Sequence, residues 1–239
     1  MNTFFHSIFL VLLTTVVNQI AAEKDVPTQN GVPVIRTIEG WTVKVDPTVF
    51  KPEHSSKGQR ALQALGNHLQ RVTYLLPDDV LNELREIPIW VDRDGKGKSL
   101  VYHPSADWLA DNGYNPAMAK HVHVPKIDLL LSRQQWAKHP YAIMHELAHA
   151  YHDQVLGWDD AEIKALYELA ENSGSYDHVL DHAHRQVRHY GMNNHKEYFA
   201  ESTEAYLGVN DFYPFVRAEL KQHDPRMFDL QSKIWGPLP

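Results

Sequence analysis

Hydrophobic residues change their spacing along the chain, and this change separates a mixed first half from a helical second half. Residues 34–45 alternate between apolar and polar side chains, which predicts a short strand or a hairpin. From residue 62 apolar side chains recur at spacings of three and four, which predicts an amphipathic helix that ends at Pro77. A second short helix is expected at 80–84, strands at 87–91, 99–103 and 121–124, and a loop over 106–120.

From residue 129 onward the apolar spacing is that of helices, interrupted by glycines of the kind that end them. We expect helices near residues 132–138, 140–155, 159–171, 177–189, 195–207, 212–222 and 225–234. The pattern predicts an α+β fold, with a small mixed N-terminal sheet accompanied by helices and a mostly helical C-terminal half. Residues 34–239 are expected to form one domain.

The N-terminal segment has the pattern of a secretory signal peptide over residues 1–22. It carries no charged side chain, it has an apolar run at 8–17, and it ends in small residues at Ala22. The alternative is an uncleaved anchor, but the run is shorter than the ~20 apolar residues of a membrane-spanning helix. We therefore expect a secreted protein that has no membrane span once processed, beginning with a flexible polar leader at 23–33.

Composition narrows the chemistry that the protein can perform. The 239 residues are 43% hydrophobic and 22% charged, which is typical of a globular chain. The absence of cysteine excludes disulfides, thiolate metal sites and a cysteine nucleophile. A formal charge of −7 without any basic block argues against a nucleic-acid partner. Histidine is abundant, with 16 residues, and is a side chain that both ligates metals and titrates near neutrality.

The main chemical motif lies in the predicted helix at 140–155, where the chain reads HELAH from His145 to His149. Residues four apart share a helix face, so the two histidines can bind one zinc ion. Glu146 lies one residue further round and can accept a proton from a zinc-bound water. Apolar neighbours surround the motif, which argues against the alternative of a surface helix with two solvent-facing histidines.

A catalytic zinc site of this type needs a third protein ligand and an open position for water. The extended motif with a glycine and a third histidine is absent, because His152 and Val155 occupy those positions. The ligand must therefore come from further along the chain, and periodicity leaves several glutamates open. Candidates are Glu168 and Glu171 in one predicted helix, and Glu197, Glu201 and Glu204 on one face of a later helix.

The segment around the later glutamates resembles a known family. Tyr190-Gly191 followed by HKEYFAE at 195–201, downstream of HELAH, resembles the lethal-factor-like zinc metallopeptidases, whose third ligand is a glutamate (the gluzincin type). The resemblance covers about residues 141–207 and implies a zincin-like catalytic domain with endopeptidase activity. It makes Glu197 the third zinc ligand.

The resemblance also implies roles for residues that do not bind the metal. Tyr190 would stabilise the oxyanion, and Glu201 would support the ligands from behind. Substrates in that family lie extended along an edge strand, which would here be 121–124. With Glu146 as the general base, the sequence thus predicts a secreted endopeptidase that holds one Zn²⁺ ion and acts on a peptide or protein.

Two alternatives to the peptidase remain open at this point. One is a secreted zinc-binding module without catalysis, which the intact Glu146 disfavours, and the other is a zinc hydrolase of non-peptide substrates. The remaining histidines could form a second metal site, although a histidine-rich surface is favoured. They are His178, His182, His184, His189 and His195, and the sequence leaves Glu201, Asp153 and Glu204 as possible hydrogen-bond acceptors for the metal-binding histidines.

Overall fold

The computed structural model describes residues 31–238 of the chain. The expected signal peptide at 1–22 and most of the expected leader at 23–33 lie outside this range. Within it helix outweighs strand and the sheet is small and mixed, so the α+β class is confirmed. No helix in the described range is long and apolar enough to cross a membrane.

Five short strands form the main sheet, in the order β1-β2-β3-β5-β4. They are β1 (Val34–Ile38), β2 (Trp41–Val45), β3 (Ile89–Val91), β4 (Val101–Tyr102) and β5 (Val122–Val124). β1 and β2 form an antiparallel hairpin, β2, β3 and β5 are mutually parallel, and β4 runs antiparallel to β5. A separate two-stranded hairpin consists of β6 (Val179–Leu180) and β7 (Gln186–Val187).

Ten α-helices are found in the described range. They are α1 (Ser55–Leu75), α2 (Asp78–Arg85), α3 (Ala106–Asp111), α4 (Ile127–Leu131), α5 (Arg133–Lys138), α6 (Ala142–Tyr151), α7 (Ala161–Ser173), α8 (His195–Leu207), α9 (Arg217–His223) and α10 (Pro225–Trp235). A π-helical turn, His152–Leu156, directly continues α6. Helices near 132–138, 140–155, 159–171, 195–207 and 225–234 are thus confirmed.

The main core lies between the helices and one face of the sheet. The alternation in β2 buries Trp41, Val43 and Val45, as expected for a strand with one covered face. The amphipathic stripe of α1 is buried as well and packs against α4. Helices α6 and α8 pack directly against each other, and α6 also contacts β4, which places the two motif-bearing helices beside the edge of the sheet.

The prediction that residues 121–124 form the edge strand of the sheet is wrong. Residues 121–124 do contain a strand, but β5 pairs on one side with β3 and on the other with β4. The edge on this side is therefore β4 (Val101–Tyr102), within the expected strand at 99–103. Periodicity identifies strands but not their order, and here β4 returns antiparallel along the outer side of β5.

Three local expectations in the chain are also corrected. The helix expected at 177–189 is the β6–β7 hairpin, whose connection is held by Asp181 Oδ1 accepting from the backbone N–H groups of Ala183 and Arg185. The expected loop at 106–120 contains α3, because the Ser105 hydroxyl caps its first turn. The helix expected at 212–222 begins only at Arg217, since the residue before Pro214 is disfavoured in a helix.

The face of the sheet opposite the main core carries a small cluster of buried histidines. His103 Nε2 lies 3.1 Å from His123 Nδ1, and His123 Nε2 lies 3.1 Å from Asp92 Oδ2. His103 also stacks against Trp108, which helps to cover it. Burial, together with the neighbouring His123 and His121, lowers the pKa of His103 from 6.5 to about 4.

This lowered pKa predicts a loss of stability in mild acid. Between pH 7 and pH 5 the unfolded chain protonates His103 while the folded chain does not, so the free energy of unfolding falls by about 2 kcal/mol on account of this residue. His103→Gln keeps an N–H donor for His123 but does not titrate. Chemical denaturation at both pH values should therefore show a drop that is smaller by about 2 kcal/mol in the variant. The metal ligands and the histidines outside this cluster are the same in both proteins, and equal drops would contradict the prediction.

Candidate metal centre

Helix α6 brings the two motif histidines together on its inner face. His145 is buried and His149 is nearly so, and their Nε2 atoms lie 3.0 Å apart. The flanking apolar side chains of α6 are buried in the main core, which confirms that the helix is not a solvent-facing one. The geometry follows from the spacing of four, which is one helical turn.

Helix α8 supplies a carboxylate to the same point. The Asn194 side chain accepts hydrogen bonds from the backbone N–H groups of Lys196 and Glu197 at 3.0 Å, which fixes the first turn of α8. Glu197 Oε2 then lies 3.3 Å from His145 Nε2 and 3.2 Å from His149 Nε2. Of the glutamates left open by the sequence, Glu197 is therefore the one whose oxygen meets both histidine nitrogens.

These three atoms fit a metal ion. Ligand atoms placed tetrahedrally at about 2.0–2.1 Å from zinc lie roughly 3.3–3.4 Å from one another. The separations of 3.0, 3.2 and 3.3 Å among His145, His149 and Glu197 are close to that value. Two histidine nitrogens and one carboxylate oxygen are also a common donor set of catalytic zinc sites. The protein thus has a buried group of two histidines and a glutamate that could bind a metal ion.

The charges of the site also favour a cation. Burial alone raises the pKa of Glu197, but the hydrogen bonds to His145 and His149 outweigh it and lower the pKa well below its usual range. Burial likewise opposes the charged form of His145, yet its hydrogen bonds to Glu197 and Glu204 raise its pKa well above 6.5. The carboxylates therefore require positive charge between them, which a bound metal ion would provide.

A buried glutamate hydrogen bonds to His145 at Nδ1, the ring nitrogen that faces away from His149 and Glu197. His145 Nδ1 donates to Glu204 Oε1 at 2.7 Å, and His139 Nε2 donates to the same oxygen at 2.8 Å. Glu201, which the family resemblance assigned to this role, is also buried, but its Oε1 lies 3.8 Å from His145 Nδ1. The hydrogen bond that orients His145 is therefore made by Glu204. His139, His145 and Glu204 form a second group whose side chains could bind a metal ion. It has His145 in common with the first group.

Glu146 lies between the metal-binding group and the edge strand. Its Oε2 accepts a hydrogen bond of 2.7 Å from the backbone N–H of Tyr102 in β4. The backbone of the next residue, His103, pairs instead with the segment leading into β5, so the main-chain groups of Tyr102 face outward. One carboxylate oxygen of Glu146 is thus held by the sheet edge, on the side where an extended chain could pair.

The π-helical turn after α6 anchors this edge strand. The Tyr102 hydroxyl donates to Asp153 Oδ2 at 2.6 Å, and Lys120 Nζ contacts the same oxygen at 2.5 Å. Gln154 Nε2 donates to the Tyr102 hydroxyl at 3.2 Å. The side chain of Tyr102 is therefore tied to the chain that follows His149, which keeps β4 in register with the metal-binding helix.

All six residues predicted for the site line one cleft with a volume of about 530 Å³. They are His145, Glu146, His149, Tyr190, Glu197 and Glu201. Tyr190 lies at the rim, about half exposed, with its ring stacked on Phe212. Burial and then the negative charge of Glu197 raise the pKa of its hydroxyl, which therefore stays protonated at neutral pH.

The other candidates lie elsewhere. Glu171 accepts hydrogen bonds from Tyr167 and Arg188, and neither Glu171 nor Glu168 lines the cleft. His178, His182 and His184 are exposed, and His195 hydrogen bonds to the backbone of Trp158. Of the three acceptors that the sequence leaves open, Glu204 bonds to His145, Glu201 lies 3.8 Å from it, and Asp153 accepts from Tyr102 instead. His139 and Tyr102 were missed altogether, because neither belongs to a motif.

Comparison of the chain with protein-family models, with curated proteins and with solved structures found no match.

Proposed function

We propose that the protein is a secreted zinc-dependent endopeptidase of the lethal-factor-like, zincin type. The observation that carries this proposal is the convergence of His145, His149 and Glu197 in an open cleft, with Glu146 alongside and an edge strand at its border. Secretion is proposed from the N-terminal pattern at 1–22, and zinc from the donor set and its spacing.

Each residue has a defined task in peptide hydrolysis. Zinc, when bound, lowers the pKa of a coordinated water toward ~7 and polarises the substrate carbonyl. Glu146 accepts the proton of the attacking water and passes it to the leaving amine. The Tyr190 hydroxyl, which stays protonated, donates to the carbonyl oxygen as negative charge develops on it. Glu204 holds the His145 ring with Nε2 facing His149 and Glu197, the residues that would bind the metal with it.

The edge strand gives the reason to prefer peptides to other substrates. An extended peptide can add to β4 by donating a main-chain N–H to the outward-facing carbonyl of Tyr102, whose own N–H is held by Glu146. Pairing there would bring a peptide carbonyl beside Glu146. A non-peptide substrate would not require an open strand edge beside the metal-binding residues. A binding module without catalysis would not require Glu146, a carboxylate that does not ligate the metal.

The test is digestion of a peptide library by the purified zinc-loaded protein, analysed by mass spectrometry. We expect cleavage at internal peptide bonds that stops on addition of a chelator and returns with zinc. Glu146→Gln serves as the matched control, since it keeps the metal ligands. Zinc binding without cleavage of any peptide would favour the non-catalytic module. Absence of tight metal binding would overturn the proposal.

A further inference from the structure

One lysine on the wall of the cleft is held in place without a carboxylate partner. Lys196 lies in the first turn of α8, directly before the metal-binding glutamate, and lines the cleft. Its Nζ lies 4.2 Å from the centre of the Trp158 ring, a cation–π contact. No ion pair of Lys196 is found within residues 31–238. The ammonium is thus oriented by an aromatic face, and no carboxylate of the described residues lies within ion-pair distance of it.

The tryptophan fixes where this charge lies. The backbone carbonyl of Trp158 accepts from His195 Nε2 at 2.8 Å, and its ring lies 6.3 Å from the ring of His149 and 6.4 Å from that of Tyr102. The Trp158 ring therefore lies near both the metal-binding histidine and the Lys196 ammonium. Successive residues of an extended peptide advance by about 3.3 Å, so the ammonium faces a substrate residue within a few positions of the scissile bond.

The other charged side chains near Lys196 and along the cleft have ionic partners within the protein. Lys138, which also lines the cleft, lies 3.9 Å from a carboxylate oxygen of Asp211. Asp159, on the loop that carries Trp158, makes its ion pair with Lys164 and acts on Lys196 only as a charge beyond ion-pair distance. Glu197 contacts the two histidines. Lys196 is therefore the lysine of the cleft that is available to a ligand.

We propose that Lys196 binds a carboxylate of the substrate, so that the enzyme prefers peptides with Asp or Glu at one position on the His149 side of the scissile bond. This inference rests on the proposed peptidase function and adds its substrate class. The cation–π contact holds the ammonium in advance, which reduces the ordering cost of binding. The cleft wall also removes part of the water that would otherwise weaken the ion pair.

The experiment compares kcat/KM for pairs of peptides that differ only in Glu or Gln at each position in turn. Peptides with acetylated and amidated ends test a side-chain carboxylate, and a second set with free C-termini tests a terminal one. For the wild type we expect a preference for Glu of about five- to tenfold at one position, which corresponds to about 1–1.4 kcal/mol. This preference should fall as the salt concentration is raised. Preference only for the free C-terminus would assign the carboxylate to the chain end.

Variants separate a charge effect from a structural one. Lys196→Met should abolish the Glu preference, and Lys196→Glu should reverse it in favour of Lys or Arg at the same position. Lys138→Met is the matched control and should leave the Glu/Gln ratio at that position as in the wild type. Zinc content is measured for every variant to confirm an intact site.

The outcomes distinguish this inference from the proposed function. Cleavage of peptides with no carboxylate preference, or an unchanged ratio in Lys196→Glu, would overturn the role of Lys196 and leave the peptidase intact. If no peptide is cut by the zinc-loaded wild type, both the peptidase and the substrate preference are overturned.

Discussion

Replacing Glu146 with glutamine is expected to leave the metal bound while lowering kcat/KM by about 10²–10⁴-fold. Glu146 does not belong to the group of converging ligand atoms, so metal affinity should change little. The glutamine amide oxygen can still accept the hydrogen bond from the Tyr102 N–H, which keeps the side chain in place. It cannot accept a proton from water, and general-base help is typically of this size.

The measurement combines metal content by mass spectrometry with cleavage of a peptide that the wild type cuts. His145→Ala is the matched comparison, because it removes a ligand and should lose metal and activity together. If Glu146→Gln stays zinc-loaded and cleaves at the wild-type rate, Glu146 is not the base and the mechanism proposed here is wrong.

The parts of the site that the sequence predicted are those set by spacing within a single helix. His145 and His149 lie one turn apart in α6, so their convergence depends only on helix geometry. The start of α8 is equally local, because Asn194 caps it and thereby determines which glutamate enters the first turn. Choosing Glu197 among the glutamates needed more, since periodicity places Glu201 and Glu204 on the same face.

The parts that the sequence could not predict depend on how helices and strands meet. Glu204 rather than Glu201 reaches His145 because of the packing of α8 against α6, which sets the rotation of one helix relative to the other. The identity of the edge strand depends on strand order, and a two-residue strand such as β4 has too little pattern to reveal its pairing. His139 reaches the site through Glu204 across 65 residues of chain, a contact that no local spacing encodes.

Three glutamates on one face of α8 should affect metal binding to different degrees, and the order tests the assignment. Glu197→Ala removes an oxygen that lies 3.2–3.3 Å from both histidine nitrogens and should abolish stable zinc binding and with it all activity. Glu204→Gln removes the negative charge that His145 Nδ1 and His139 Nε2 share, and should weaken zinc binding about 10–100-fold. Glu201→Ala should keep most of the zinc with reduced activity, since its oxygen lies 3.8 Å from His145.

Zinc affinity is measured by competition with a chelator of known affinity, and circular dichroism confirms that each variant is folded. The readout does not depend on activity, so it tests the ligand assignment even if the substrate is unknown. Loss of zinc in Glu201→Ala with retention in Glu197→Ala would mean that the carboxylate ligand lies one helical turn further along α8. Equal affinity of Glu204→Gln and the wild type would mean that the hydrogen bond to His145 does not support the metal. The expected order follows from geometry, because Glu197 reaches Nε2 of the His145 ring, whereas Glu204 and Glu201 face Nδ1 at 2.7 and 3.8 Å.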